Sequence, residues 1–223
     1  MARKVVQATR QTDPRLRAKR EAVFFHVPKT GGTSVRAVIN RYCNVHDCLF
    51  GWDTQGSCPT PPRAICVGFW FCTVRNPWDR MISLWDYFNR PDNLSPNAGG
   101  PGKPRSLEET IAVVQAKSFS STFTWPFTGF IPELRGSVTN LQFHGFPASI
   151  YPLQKMDKIL RFERLSADWN DLGKVLGIVD KLPHFNQGDR GHYSQYYDAK
   201  LKDRVAKIYA ADIKQFDYEF EQK

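Results

Sequence analysis

The sequence has no run of apolar residues approaching the eighteen or so that a membrane-spanning helix needs, and no apolar stretch follows its first methionine. Both absences argue against a helical membrane protein or a secretory leader, and a soluble, cytoplasmic chain is expected. Cysteine is scarce: Cys43, Cys48, Cys58, Cys66 and Cys72 are odd in number and form no CxxC pair, which suits a reducing compartment better than a disulfide framework. Cys43, His46, Cys48 and Cys58 are too irregularly spaced to read as a zinc site. There are no internal repeats, so a solenoid is not expected. Acidic residues are in deficit, 22 against 31 Lys and Arg, giving a net charge of +9 and a pI near 9.4. The partners of such a surface are anionic, and charge alone leaves open nucleic acid, acidic polysaccharide, a membrane surface or an anionic cofactor.

What is present suffices for one domain. The chain has 223 residues, of which 41% are hydrophobic and 13% aromatic. Residues 1–20 are basic and lack an apolar core, so they are expected to form a flexible arm before a single domain over 21–223.

The most informative stretch is Val23 to Ser34. Ala22 to Val27 is a short apolar run suited to a buried strand, and Pro28 ends it. Lys29-Thr30-Gly31-Gly32-Thr33-Ser34 follows, and then Val35, Val38, Ile39 and Tyr42 mark one face of a helix. Paired glycines let a ligand approach the backbone, and the first N–H groups of the helix point outward, so an anion can sit there. Lys29 adds charge; Thr30, Thr33 and Ser34 add hydroxyl donors. The competing reading is an ordinary turn with Thr33 or Ser34 as N-cap. In a nucleoside triphosphatase P-loop the lysine follows the last glycine, whereas here it precedes both, so the segment is a variant of that motif.

Asn44 to Pro62 reads as a Gly- and Pro-containing loop carrying His46, a residue able to take a proton near neutral pH. Ala64 to Val74 reads as a second buried strand, and Asn76 and Pro77 open a helix expected to reach Asn89, with Met81, Leu84, Trp85 and Phe88 inward and Ser83 beside Asp79. Arg75, at the end of that strand, admits two readings: an ion pair with Asp79, or a grip with Ser83 on a second anionic group.

Farther along, Pro91 to Arg105 reads as a surface loop or lid, and Ser106 with Glu109 as a capping box opening a helix to about Lys117. Residues 118–151 are aromatic and irregular, fit either for stacking on sugar rings or for packing under a loop. Lys158 to Phe162 reads as a third strand, Ser166 as the cap of a helix ending at Gly177, Leu182 to Tyr197 as a loop, and Asp198 as the cap of a last helix. Phe216, Tyr218 and Phe220 are expected to anchor the tail.

Two segments together, His26-Val27-Pro28-Lys29-Thr30-Gly31-Gly32-Thr33-Ser34 and, some forty residues later, Thr73-Val74-Arg75-Asn76-Pro77-Trp78-Asp79-Arg80-Met81-Ile82-Ser83-Leu84-Trp85, resemble the sulfotransferases that use 3'-phosphoadenosine 5'-phosphosulfate (PAPS), especially their carbohydrate-type branch. The likeness extends more weakly to Lys158–Leu165 and His192–Asp198, and spans Glu21 to Phe220. It implies an α/β fold with a mostly parallel sheet flanked by helices, of the P-loop, nucleotide-kinase-like sulfotransferase type. It implies sulfuryl transfer from PAPS to an acceptor hydroxyl or amine, with release of 3'-phosphoadenosine 5'-phosphate (PAP). Lys29 would meet the transferring sulfuryl group and its bridging oxygen; Thr30, Gly31, Gly32, Thr33 and Ser34 would wrap the 5'-phosphate. Arg75 and Ser83 would hold the 3'-phosphate, with Arg190 as a supplement. His46 is the candidate base, and no metal is expected because the family needs none.

A glycan heads the acceptors, with small phenols and peptidyl tyrosine open; no nucleic-acid partner or membrane span is expected. Animal carbohydrate sulfotransferases usually sit in the Golgi behind a membrane anchor, so this sequence points to a soluble microbial or viral-type enzyme over a trimmed luminal domain. Two rivals share single features: an ATP- and Mg²⁺-dependent small-molecule kinase shares the strand-turn-helix, and a polyanion-binding module shares the charge. Neither accounts for the second segment.

Overall fold

The computed structural model describes residues 15–27, 29–48, 68–91, 104–115, 156–183 and 190–223. Among the described residues four strands make one parallel sheet: β1 (Ala22–Phe25), β2 (Val45–Cys48), β3 (Phe69–Val74) and β4 (Lys158–Arg161), in the order β2-β1-β3-β4. Val23 lies opposite both His46 and Trp70, and Cys72 opposite both Phe25 and Ile159. Every residue of β1 and β3 is buried, which is why both read as continuous apolar runs rather than as alternating ones.

The helices among the described residues are α1 (Gly32–Ile39), α2 (Pro77–Asn89), α3 (Leu107–Gln115), α4 (Leu165–Leu176), α5 (Ala199–Ile208) and α6 (Ala210–Phe216). Phe24, Phe71 and Leu160 of the sheet pack with Val35, Val38 and Ile39 of α1 and Trp169, Leu172 and Leu176 of α4. A second core joins Met81, Ile82 and Phe88 of α2 to Ile111 and Val114 of α3 and to Val205 and Tyr209. No helix is long and apolar enough to cross a membrane among the described residues.

The strand order places the site. From β1 the chain passes through α1 outward to β2, whereas β3 lies on the other side of β1 and its chain goes on to β4. The connections diverge between β1 and β3, a topological switch point, and open α/β sheets bind ligands at the carboxyl ends of the strands there. Lys29 and Arg75 follow those two ends.

Several local expectations change. Val45–Cys48 is a strand, not loop, because it pairs with β1. The second strand starts at Phe69, residues 64–67 lying outside the described set. Ser166 is not a cap: a 3-10 turn at Phe162–Arg164 feeds directly into α4, whose first residue is Leu165. The stretch read as a loop up to Tyr197 contains a 3-10 turn at Tyr193–Tyr196. The capping boxes and punctuation elsewhere agree. Ser106 and Glu109 exchange bonds of 2.7 and 3.1 Å, Asn76 caps α2, Asp198 caps α5, and Gly177 ends α4 in the left-handed conformation.

Of the expected basic arm, residues 1–14 lie outside the described residues. The rest of it packs: Ala18 is buried, its N–H donates to the Asn44 side chain at 2.8 Å, and Lys19 N–H donates to Leu176 O at 2.7 Å. At the other end Phe220 meets Trp78, Tyr193 and Tyr197 edge-on, anchoring the tail on α2. The loop and aromatic readings of residues 92–103 and 116–155 lie outside the described residues, as do residues 184–189 of the loop read from Leu182.

Candidate active site

The turn after β1 is held from below. Thr30 is fully buried; its hydroxyl donates to Val27 O at 2.7 Å and also pairs with the Thr73 hydroxyl. Its side chain is therefore committed to the core, which leaves only its backbone for a ligand. Lys29 has φ of 66°, a conformation unusual for a residue with a Cβ, and its carbonyl accepts from Arg75 Nη1 at 3.2 Å. Gly31, at φ 87°, is the N-cap of α1, in place of Thr33 or Ser34. The N–H groups of Gly31, Gly32 and Thr33 precede the bond from Ser34 N–H to Gly31 O (3.1 Å), so they stand at the positive end of the helix dipole.

The glycines are required by packing as well as by any ligand. A Cβ on Gly32 would lie 2.1 Å from His26 Nε2, and one on Gly31 would lie 3.0 Å from side-chain carbons of Leu165 and Phe162. His26 is buried and stacked on Phe24, and burial, with the nearby Arg36 charge, pushes its pKa down to about 3. It is a neutral wedge under the helix start.

Arg75 emerges from β3 and is 6% exposed. Its Nε and Nη2 bind Asp79 Oδ2 at 2.8 and 2.7 Å, and its guanidinium lies over the Phe162 ring, 3.8 Å from the centroid. Asp79 uses its other oxygen to accept from Arg190 Nη2 at 2.7 Å, while Arg190 Nη1 is buried with no hydrogen-bond partner among the described residues. One carboxylate thus orders two guanidinium groups, and part of their donor capacity is left over. Of the two readings of Arg75, the ion pair with Asp79 is present, and the guanidinium also reaches the turn through Lys29 O.

The rest of this wall is α2. Asn76 accepts from Trp78 N–H at its head, and its own N–H donates to Glu163 at 2.5 Å. Burial raises the Glu163 pKa, opposed by that bond and by Arg75. Ser83 is half-buried one turn after Asp79, and Tyr87 one turn farther along the same face. Lys29 Nζ sits 4.1 Å from the centroid of the Tyr87 ring. Burial first, then the charges of Arg90, Arg75 and Arg190 against that of Asp86, brings the Lys29 pKa down to about 7.

The fold therefore brings Lys29, Gly31, Gly32, Arg75 and Arg190 to one place, with Ser83 on the adjoining helix face. Thr33 is exposed on the first turn and Ser34 buried behind it. His46 has its backbone in β2, opposite Val23 and two residues before the strand's carboxyl end; its side chain lies outside the described residues. Tyr87, Asp79 as a bridge, Phe162 and His26 were not among the residues singled out from sequence. Asp79 was read from sequence only as an ion-pair partner of Arg75, from its place in the first turn of the helix that follows; its second bond, to Arg190, had no local signal. Cys43 and Cys72 are free thiols, and no group of metal-ligating side chains occurs among the described residues.

Chemically, a helix start, a lysine and two arginines converge at the switch point, where open α/β sheets in general bind ligands, an arrangement suited to a group with more than one negative charge. Nothing matches this chain among curated proteins or among solved structures. A family model does: its match runs over residues 16–219, from the first packed residues to the tail that closes on α2, and the chain thereby belongs to the sulfotransferase family.

Proposed function

We propose that the protein transfers a sulfuryl group from PAPS to a hydroxyl or amine of an acceptor, foremost a carbohydrate, and releases PAP. The observation that carries this reading is the like-charge cluster at the switch point. Lys29 is depressed to about 7 by burial and by three guanidinium groups, while Asp79 and Asp86 are already bound to arginines. Such a cluster is costly when empty and favourable around a polyanion.

In this reading the N–H groups of Gly31, Gly32 and Thr33 hold the 5'-phosphate, with the Ser34 side chain behind them and Thr30 contributing backbone only. Arg75, Arg190 and Ser83 take the 3'-phosphate. The acceptor oxygen attacks sulfur, the bond from sulfur to the bridging oxygen breaks, and negative charge grows on that oxygen, where the Lys29 ammonium meets it. The acceptor proton passes to His46. The protein's share of the rate is positioning and preformed charge. The net charge of +9 favours an acidic or already sulfated glycan as acceptor.

The test is sulfuryl transfer from ³⁵S-labelled PAPS to a panel of glycans, with and without Mg²⁺. Transfer without metal, abolished by Lys29→Ala with unchanged circular dichroism, supports the reading. Phosphoryl transfer from Mg-ATP with no sulfuryl transfer overturns it.

A further inference from the structure

We propose that Tyr87 is the positioning residue for Lys29: its aromatic face seats the ammonium as a cation paired with no carboxylate among the described residues, and leaves the N–H bonds that point away from the ring for an anionic donor. This inference rests on the sulfotransferase reading for the identity of that anion, but not for the seat itself.

The Lys29 side chain is fixed at both ends. Its backbone is held at φ 66° with its carbonyl bound by Arg75, and its tip lies 4.1 Å over the Tyr87 ring centroid. A ring face attracts a cation through its quadrupole without drawing its protons into a charge-neutralising hydrogen bond, as a carboxylate would. The carboxylates nearby are committed elsewhere. Asp86 Oδ2 accepts from Arg90 Nη2 at 2.7 Å and Nε at 3.2 Å, and Asp79 is shared between Arg75 and Arg190.

The charged groups around Lys29 are thus Asp79, Asp86 and Arg90 from α2, Arg75 from the end of β3, and Arg190 from the segment before the 3-10 turn. Arg90, Arg75 and Arg190 oppose its charge, Asp86 favours it through space, and among the described residues the Tyr87 ring is the favourable feature in direct contact. Tyr87 also follows Ser83 by one turn, so the seat borders the space assigned to the 3'-phosphate.

The experiment compares wild type, Tyr87→Phe and Tyr87→Leu in the full chain. Trace acetic anhydride labelling, read at Lys29 by mass spectrometry across pH, follows the amine with no ligand present. The leucine variant should titrate lower by about half to one and a half pH units, the range expected for losing a cation–π contact. The phenylalanine variant should follow wild type, since it keeps the ring.

PAP affinity by calorimetry weakens as pH rises, and in the leucine variant that weakening should set in at a lower pH than in wild type, whereas the phenylalanine variant should follow wild type. Superimposed leucine and wild-type titrations overturn the seat, as does a phenylalanine variant that behaves like leucine. Absence of PAP binding by wild type overturns the donor reading instead, and labelling still decides the seat.

Discussion

Arg75 Nη1 donates to the carbonyl oxygen of Lys29 at 3.2 Å, tying the end of β3 to the turn after β1. The two segments that carry the family resemblance are thereby one object. The arginine braces the left-handed lysine from which the turn departs, and Asp79 keeps that arginine in place.

Asp79→Ala should therefore damage both fold and binding. It leaves the nearly buried Arg75 without its carboxylate, at a cost on the order of 3 kcal/mol by urea unfolding. Asp79→Asn, which can still accept hydrogen bonds, should lose less. PAP should recover part of the stability of either variant, because its phosphate replaces the missing negative charge. Equal stability of Asp79→Ala and wild type would remove the bridge from the account.

Gly32→Ala should destabilise by roughly 2 kcal/mol or more, although alanine suits a helix, because its methyl group would meet His26. Adding His26→Ala should restore some of the loss, so the pair should be non-additive in a double-mutant cycle followed by thermal unfolding. Additive effects would mean that the ring is not what excludes the side chain.

His26 and Lys29 both have lowered pKa values, and each favours its neutral form in the fold. For His26, at about 3 against an ordinary 6.5, the unfolded chain binds more protons between those values. Stability should fall as pH drops from about 6.5 toward 3, and His26→Gln should flatten that decline. For Lys29, at about 7 against 10.5, stability should rise as pH climbs from about 7 toward 10. PAP binding favours the charged amine, so its affinity should move oppositely, weakening as pH rises above neutral. An affinity that strengthens through that range would contradict the charge assigned to Lys29.

Much of this was legible in the sequence where local chemistry decides. The apolar runs before Pro28 and Arg75, the Asn76-Pro77 helix start and the Asp198 cap rest on propensities and capping bonds that act over a few residues. β2 was not legible, because Val45-His46-Asp47-Cys48 has no strand-like pattern and owes its conformation to pairing with β1. Tyr87 was hidden for the same kind of reason: on α2 it is one more aromatic beside Phe88, and nothing local announces that Lys29 will lie on its ring. Gly32 was read as room for a ligand, when part of its need is the imidazole packed beneath it.

The central claim, that the cations at the switch point take a nucleotide bearing a 3'-phosphate, is tested most directly by thermal unfolding with PAP, and with ATP in the presence and absence of Mg²⁺. At a hundredfold excess over its Kd a ligand adds about 2.7 kcal/mol to stability, a readily visible shift. PAP should stabilise the protein strongly without metal, less so in Arg75→Ala and Arg190→Ala, and ATP should stabilise it much less. Stabilisation by Mg-ATP with none by PAP would contradict the claim.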